Sequence, residues 1–242
     1  EDDPAKPYHL AYWAVCSTGM DNHPTYDAAE GRTVKIGEYY YIEVLDVFLT
    51  SALAASARAL SRVADALRKS SERRFFEEEF ERLRDTINEL FWDDKDGFYY
   101  SRTWSLEKVP VKSIQAYTPL YAGVADKEKA ARLVGHLTNA REFWGENGVP
   151  TVAFDDPKYM SEEPDWLNSF DPVYWRGPIW PPTTALVFIG LNNYGYRDLA
   201  RELALKWLKL LECEGSFAEY YYPDGKPGIT NRANFGWTAA VT

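Results

Sequence analysis

The sequence contains little cysteine and little histidine, and several familiar catalytic motifs are missing from it. Its two cysteines, Cys16 and Cys213, exclude a disulfide scaffold and a four-cysteine zinc site, although they could pair with each other or remain as thiols. The three histidines, His9, His23 and His136, are too scattered for a His-Glu-x-x-His zinc motif. There is no Gly-x-Gly-x-x-Gly fingerprint, Walker loop or Gly-x-Ser-x-Gly elbow. These absences argue against metal and nucleotide chemistry, and we expect no cofactor.

Basic charge and long apolar runs are also scarce. Acidic residues outnumber basic ones by 37 to 27, which gives a net charge of −10 at pH 7 and a field that repels nucleic acids and anionic membrane surfaces. Apolar stretches such as residues 185–191 are far shorter than the roughly 20 residues that a membrane-spanning helix requires. We therefore predict neither nucleic-acid nor membrane partners. The absence of an Asn-x-Ser/Thr sequon leaves the compartment open but favours the cytoplasm.

What the sequence does contain is a large apolar and aromatic fraction. Hydrophobic residues make up 45% of the chain and aromatic residues 16%, including nine tryptophans. One or two domains fit a chain of 242 residues, and we predict one domain, a partial catalytic domain, over residues 1–242. Most aromatic rings fill cores, but flat rings that stack on the faces of sugars are one use for the surplus.

The first half of the chain has a helical period. Apolar residues predict one long helix over residues 39–67, which could be broken, and a second helix through 76–91. Ser70 and Ser71 precede the second stripe and are suited to cap that helix. Strand patterns are few and short, which argues against a fold based on sheets.

The second half continues with helices and a long loop. Shorter helices are predicted over residues 113–122 and 127–139, and a polar and aromatic loop then runs to Trp175. An apolar helix that opens at Ile179 is predicted to be buried on all sides, and an amphipathic helix follows over 198–211. An apolar inner helix paired with an amphipathic outer helix is the repeating unit of an α/α toroid, so the predicted fold is all-α.

Three loops at predicted helix ends combine carboxylates, aromatic rings and turn-forming residues. They cover residues 18–27, 171–180 and 215–223. Hydrolysis by paired carboxylates needs two Asp or Glu side chains in one aromatic-walled pocket, one as general acid and one as general base. The residues alone leave open which pair has these roles.

The same loops resemble those of glycoside hydrolase family 63 and its clan relatives, which include mannosylglycerate hydrolases, α-glucosidases and trehalases. The resemblance rests on GMDNHPTYD at 19–27, YWRGPIW at 174–180 and GSFAEYYYP at 215–223. It implies an (α/α)6 barrel and inverting hydrolysis of an α-glucoside or α-mannoside, with Asp21 as general acid and Glu219 as general base. The candidate substrate-binding residues are Trp13, Asn22, Tyr26, Trp175, Arg176, Trp180 and Tyr220.

Inversion places opposite demands on the two carboxylates. Asp21 has to be protonated and Glu219 ionised, with about 6.5–9.5 Å between them for a water molecule. Tryptophan rings are expected to raise the pKa of Asp21, whereas tyrosine hydroxyls and Arg176 are expected to keep Glu219 charged. The alternatives are structural: Asp21 as a turn or cap residue, and Glu219 as the partner of Arg232.

The acid-bearing loop departs from the family pattern. His23 stands where the family usually has Ser, and Thr25-Tyr26 replaces a common Arg-Trp pair. The sugar contacts beside the acid are therefore open, and so is the choice between glucose and mannose. Asp27 and Asp171 are the reserve carboxylates should Asp21 be misplaced.

The length of the chain sets a further expectation. A closed barrel of twelve helices needs more chain than 242 residues, so we predict a toroid that is incomplete at its N-terminus. An open toroid exposes the apolar faces of inner helices, which missing helices from a longer chain could cover. The alternative hypothesis is a non-catalytic carbohydrate-binding or inert fragment of a larger glycosidase.

Overall fold

A computed structural model of the chain describes residues 16–161, 172–230 and 233–242. Helices dominate this part of the chain, and its strands form three two-stranded antiparallel sheets, β1–β2, β3–β6 and β4–β5. The α-helices are α1 (Val47–Ala66), α2 (Ser70–Thr86), α3 (Thr118–Ala122), α4 (Lys127–Leu137), α5 (Pro181–Asn193), α6 (Arg197–Glu214) and α7 (Gly236–Ala240). The strands are β1 (Thr33–Ile36), β2 (Tyr39–Ile42), β3 (Val44–Leu45), β4 (Trp92–Asp93), β5 (Phe98–Tyr99) and β6 (Arg102–Thr103). Two 3-10 helices, Pro24–Ala29 and Ile114–Tyr117, and a π-helical turn, Ile87–Phe91, complete the elements.

Four helices, α1, α3, α5 and α7, form an inner row. Helix α3 packs against both α1 and α5, and α5 also packs against α7. Helix α2 runs along α1 and α6 runs along α5 as the second layer, and Leu83 is the buried residue of α2. Inner helices with an outer layer are the architecture of an α/α toroid, so the all-α prediction is confirmed.

The loops that precede the inner helices are joined to one another in chain order. Strand β3, before α1, pairs with β6, before α3. Ser113, before α3, bridges to Val152, before α5, and Ile179 at the start of α5 bridges to Tyr221, before α7. The N-termini of the inner helices therefore lie at one end of the molecule, where the loops meet.

The main core lies between the inner helices and these loops and is rich in rings. Phe98, Tyr117 and Phe143 are fully buried and contact one another, with the Tyr117 and Phe143 centroids 5.2 Å apart at a nearly perpendicular angle. Each large apolar side chain that is fully buried contributes roughly 1.5–3 kcal/mol. This aromatic core supports the loop end of the toroid.

The predicted helix over residues 39–67 is wrong before Val47. Residues Tyr39–Ile42 form strand β2 of a hairpin with β1 instead. A run of aromatic and β-branched residues suits a pleated strand, and its apolar positions matched the helical period by coincidence. Helix α1 begins only after Asp46, whose Oδ1 accepts hydrogen bonds from two N–H groups of the first turn at 2.6 and 3.3 Å.

Two further predictions about helices are wrong. The N-cap of α2 is Lys69, which makes no side-chain cap hydrogen bond, and Ser70 and Ser71 lie inside the first turn. Helix α5 is not buried on all sides, because Phe188 and Ile189 are 38% and 41% exposed.

Helix α1 also carries exposed apolar side chains, namely Leu49, Leu53, Leu60 and Val63, and Leu67 at its C-cap is exposed as well. Open faces on inner helices are what the sequence predicts for an open toroid. In the part of the chain that the structure describes, no helix has both the length and the hydrophobicity needed to cross a bilayer.

Candidate active site

The loop that carries Asp21 is a tight turn that leads into the 3-10 helix Pro24–Ala29. Gly19 has a φ of +79°, a left-handed conformation that suits glycine and lets the chain turn just before Asp21. His23 caps the 3-10 helix, because its Nδ1 accepts a hydrogen bond from the backbone N–H of Thr25 at 3.2 Å. The turn leaves Asp21 half-buried. We call residues 17–23 the acid loop, after the role that the family resemblance implies for Asp21.

His23, which replaces the Ser common in the family, is the last residue of the acid loop. It is 1% exposed, and burial lowers its pKa to about 3. The imidazole is therefore neutral at physiological pH. Its role in this structure is to cap the 3-10 helix.

Asn22 connects the acid loop to residues 172–180. Its Nδ2 donates to the carbonyl of Pro172 at 3.0 Å, and its Oδ1 accepts from the backbone N–H of Trp175 at 2.8 Å. Both polar groups of the amide are thus used to fix one loop against the other. Because Asp21 precedes Asn22 and Tyr174 precedes Trp175, this contact fixes the backbone at Asp21 relative to the backbone at Tyr174.

Glu219 lies on the loop that follows α6. The helix ends at Gly215, and the backbone groups of Tyr221 and Ile179 then exchange two hydrogen bonds of 2.7 and 3.0 Å. This short antiparallel bridge fixes Glu219, two residues before Tyr221, beside residues 172–180. Glu219 is 7% exposed.

Two hydroxyls bind the carboxylate of Glu219. The hydroxyl of Tyr174 donates to Oε1 at 2.6 Å, and that of Thr230 donates to Oε2 at 2.5 Å. Each oxygen of Glu219 therefore has a donor that fixes its position. Neither donor was among the candidate residues: Tyr174 is the first residue of the YWRGPIW segment, whereas no pattern in the sequence marks Thr230.

Asp21 and Glu219 are close enough for their charges to interact. Burial raises the pKa of Asp21, its own backbone N–H lowers it, and the negative charge of Glu219 raises it further. Burial is also the largest cause of the raised pKa of Tyr174, and the charges of both Glu219 and Asp21 add to it. Tyr174 thus lies within electrostatic reach of both carboxylates.

Three aromatic rings form a stack against Tyr174, those of Trp175, Trp180 and Tyr220. The Trp175 and Trp180 rings are nearly parallel with centroids 3.7 Å apart, and Tyr220 stacks on Trp180 at 5.2 Å. Tyr174 packs edge-on against Trp180 at 4.8 Å and against Tyr220 at 5.2 Å. All three stacked side chains are buried, with Trp180 and Tyr220 at 0% exposure, so their rings pack against protein in this structure. The stack holds the ring of Tyr174, which in turn donates to Glu219.

Arg176 forms an ion pair that connects residues 172–180 to the 3-10 helix that follows the acid loop. Its guanidinium donates to both oxygens of Asp27, at 2.6 and 3.0 Å, and Lys158 reaches the same carboxylate at 3.4 Å. The next residue, Gly177, has no room for a side chain, because a Cβ there would lie 2.0 Å from the carbonyl of Met160. Arg176 thus binds Asp27 rather than Glu219 in this structure, and its ion pair holds the two loops together.

Tyr26, in the 3-10 helix that follows the acid loop, is buried in a polar cluster. Its hydroxyl donates to Asp46 at 2.5 Å and accepts from Gln115 at 3.2 Å. Gln115 also accepts from the hydroxyl of Thr25 at 2.9 Å. These contacts join the 3-10 helix to the start of α1 and to the loop before α3, and Gln115 was not predicted to take part.

Three of the residues weighed for the site lie outside the described residues: Trp13, Asp171 and Arg232. The other candidates fall into two groups. Asn22 and Glu219 contact the segment that carries the aromatic stack, and Asp21 interacts with Glu219 by charge, whereas Arg176 and Tyr26 engage Asp27 and Asp46. Across residues 16–161, 172–230 and 233–242 no three His, Cys, Asp or Glu side chains are grouped to hold a metal ion.

Comparison with known proteins identifies the family. The family model of the mannosylglycerate hydrolase MGH1-like glycoside hydrolase domain matches residues 9–238. The chain belongs to this family. The resemblance to glycoside hydrolase family 63 seen in the three loops is thereby confirmed.

Two curated relatives and one solved structure define the extent of the likeness. The mannosylglycerate hydrolase of one strain of Thermus thermophilus is 35% identical over 159 residues, which cover 63% of this chain and 34% of that protein. The mannosylglycerate hydrolase of Rubrobacter radiotolerans is 30% identical over 201 residues, or 82% of this chain and 42% of that protein. A structure of the GH63 mannosylglycerate hydrolase from a second T. thermophilus strain in complex with glucose has a TM-score of 0.78 at 25% identity, covering 97% of this chain and 62% of that one. This member of the MGH1-like family therefore matches less than half the length of its two curated relatives.

Proposed function

We propose that the protein hydrolyses an α-glycosidic bond with inversion, with Asp21 as general acid and Glu219 as general base. The observation that carries the proposal is that two carboxylates from distant parts of the sequence are close enough for their charges to interact and have different environments. Asp21 has a raised pKa, and Glu219 accepts hydrogen bonds from two hydroxyls. Such a division of environments is what an acid and a base in one site require.

The reaction would begin at the glycosidic oxygen. Asp21, in its protonated form, gives its proton to that oxygen as the bond to the anomeric carbon breaks. Glu219 takes a proton from a water molecule that attacks the opposite face of the sugar. A carboxylate has about four lone-pair sites, so the bonds from Tyr174 and Thr230 leave Glu219 able to accept from that water.

The sugar at the cleaved end is proposed to be glucose or mannose. The curated relatives are mannosylglycerate hydrolases, and the solved relative binds glucose, so both sugars are reasonable probes. Asn22, Trp175, Trp180 and Tyr220 would act mainly by holding the acid loop and Tyr174 in place, given their contacts.

The test is a panel of α-glucosides and α-mannosides, including mannosylglycerate, with NMR detection of the first anomer released. We expect the β-anomer, because a single displacement inverts the configuration. Initial release of the α-anomer would contradict the inverting assignment. Hydrolysis of no member of the panel would contradict the catalytic assignment.

A second candidate is a protein that binds carbohydrate without cleaving it. The exposed apolar faces of α1 and α5 favour it, because a toroid that needs further helices could hold its site in an inactive form. It predicts saturable binding of a disaccharide by calorimetry with no monosaccharide released. Recovery of hydrolysis on adding a polypeptide that covers these faces would identify the missing partner as barrel helices.

A further inference from the structure

Residues 222–230 fold back along the loop that carries Glu219. The backbone N–H of Gly225 donates to the carbonyl of Tyr222, and that of Tyr222 donates to the carbonyl of Lys226, both at 2.8 Å. Gly225 has a φ of +97°, a conformation that suits glycine and lets the chain reverse. We call residues 222–230 the return segment.

The return segment is fixed to Tyr220. The backbone N–H of Gly228 donates to the carbonyl of Tyr220 at 2.8 Å, and that of Ile229 donates to its hydroxyl at 3.3 Å. A Cβ at position 228 would lie 2.3 Å from atoms of the Tyr220 ring, so glycine is needed for this close approach. Because Tyr220 is fully buried and stacks on Trp180, its ring has no free space to move into. These contacts fix the backbone that leads to Thr230.

The end of the return segment brings a hydroxyl to Glu219. Oγ1 of Thr230 donates to Oε2 at 2.5 Å, and the hydroxyl of Tyr174 donates to Oε1 at 2.6 Å. Thr230 is exposed, so its side chain is not needed to fill the core. The ring of Tyr174 packs edge-on against Tyr220, with the centroids 5.2 Å apart. Both donors of the carboxylate therefore depend on Tyr220, one through ring packing and the other through the return segment.

Two donors on different oxygens restrict the carboxylate more than one donor does. The terminal torsion of a glutamate is broad, so a single hydrogen bond to one oxygen leaves the carboxylate plane free to rotate about that bond. A second donor on the other oxygen fixes the plane and with it the direction of the remaining lone pairs. We propose that Thr230 is a positioning residue, which acts through Glu219 by fixing the plane of the general base. This inference rests on the function proposed for Asp21 and Glu219.

The test replaces Thr230 by valine, which has the same shape without the hydroxyl, and by serine, which keeps the hydroxyl. We expect Thr230→Val to lower kcat roughly tenfold, the size of effect of one hydrogen bond to a charged group, with KM changed less than about twofold. Thr230→Ser should keep kcat within about threefold of the parent protein, because the donor is retained. The loss in Thr230→Val should be equally large on α-glucosyl or α-mannosyl fluoride, because attack by water needs the base whichever group leaves.

The control variant is Thr138→Val, which removes a hydroxyl that donates to a backbone carbonyl at the C-terminal end of α4. It should leave kcat unchanged, and thermal unfolding should show that every variant is folded. Thr230→Ala also lacks the hydroxyl and takes the place of the valine variant if that protein does not fold.

Four results would overturn the inference. They are a normal kcat in Thr230→Val, a raised KM with a normal kcat, an equal loss in Thr230→Ser, and a loss on glycosides that spares the fluorides. If Glu219→Gln abolishes hydrolysis while Thr230→Val is normal, the inference fails and the proposed function stands. A fully active Glu219→Gln protein, or a chain that hydrolyses no substrate of the panel, would defeat both.

Discussion

The carboxylates proposed as general acid and general base are held in different ways. Glu219 is buried and accepts hydrogen bonds from Tyr174 and Thr230, whose positions depend on a ring stack and on a separate loop. Asp21 is half-buried on a short turn, and its pKa is raised mainly by burial. A base has to stay aimed at one water molecule, whereas an acid has to stay neutral until it meets the glycosidic oxygen. Under the proposed function, hydrogen bonds orient the base, whereas loss of solvent keeps the acid protonated.

The largest effects are expected when either carboxylate is neutralised. Asp21→Asn removes the proton donor and Glu219→Gln removes the proton acceptor, so each should lower kcat by about 10²–10⁴-fold or more. The measurement is the initial rate of release of monosaccharide from the best substrate of the panel. Unchanged turnover in either variant would remove that residue from the mechanism.

The two variants also separate the roles when the substrate is a glycosyl fluoride. Fluoride leaves without protonation, so Asp21→Asn should recover much of its rate on this substrate while Glu219→Gln should not. Thermal unfolding of both proteins serves as the control for folding. Equal recovery in both variants would show that the assignment of acid and base is mistaken.

The next prediction concerns the ring stack that supports the base. Trp180→Ala empties a fully buried site between Trp175 and Tyr220 and should lower the free energy of unfolding by about 3–5 kcal/mol. Denaturant titration measures this loss. Trp237→Ala is the matched control, because that ring is half exposed and should cost far less. A Trp180→Ala protein of normal stability with a raised KM would instead indicate direct contact with the sugar.

The sequence predicted the existence of most elements better than their ends. Helical periodicity located α2, α4 and α6, because sustained amphipathic stripes are strong signals. The prediction failed at Tyr39–Ile42, because a short aromatic run fits a helix and a strand equally well. Pairing with β1 in the hairpin makes this run a strand. The cap at Asp46 was the local signal that could have placed the start of α1 correctly.

The candidate site was predictable to the extent that it follows from motifs. The three loops contain both carboxylates, and the structure joins these loops through Asn22 and the bridge between Ile179 and Tyr221. Thr230 could not be found this way, because its contact with Glu219 depends on how the chain folds back after residue 223. The engagement of Arg176 with Asp27 is likewise a tertiary contact that residue types do not reveal.

A smaller effect is expected from one hydroxyl on the base side. Tyr174→Phe removes the donor to Oε1 of Glu219 and should lower kcat by roughly tenfold to a hundredfold, since a hydrogen bond to a charged group contributes about 1.5–3 kcal/mol. Tyr194→Phe, whose hydroxyl binds a backbone carbonyl of the loop before α4, is the control. A Tyr174→Phe enzyme with normal kcat would show that the contact does not position the base.

The acid side can be tested by direct titration of its carboxyl group. Glu219→Gln removes a negative charge that raises the pKa of Asp21, so that pKa should fall, while the larger contribution of burial keeps it above its ordinary value. NMR of the side-chain carboxyl carbons as a function of pH measures it. Because the folded-state pKa is raised, protonated Asp21 stabilises the fold at low pH, and this contribution is lost as pH rises through that raised pKa. A pKa that does not change in Glu219→Gln would show that the two groups do not interact.

The smallest effect is expected at the ion pair that clamps the loops together. Arg176 and Asp27 form a bidentate pair, but Asp27 is more than a third exposed, so solvent and salt screen the attraction. A double-mutant cycle with Arg176→Gln and Asp27→Asn should give a coupling of about 0.5–1 kcal/mol in the free energy of unfolding, decreasing as salt is added. Because this pair joins the loop of the acid to the loop of Tyr174, its loss should also reduce kcat slightly without changing the pH profile. A large rise in KM for Arg176→Gln, with no coupling to Asp27, would instead show that Arg176 binds the substrate directly. The site would then be held by contacts with the sugar as well as by contacts between its loops.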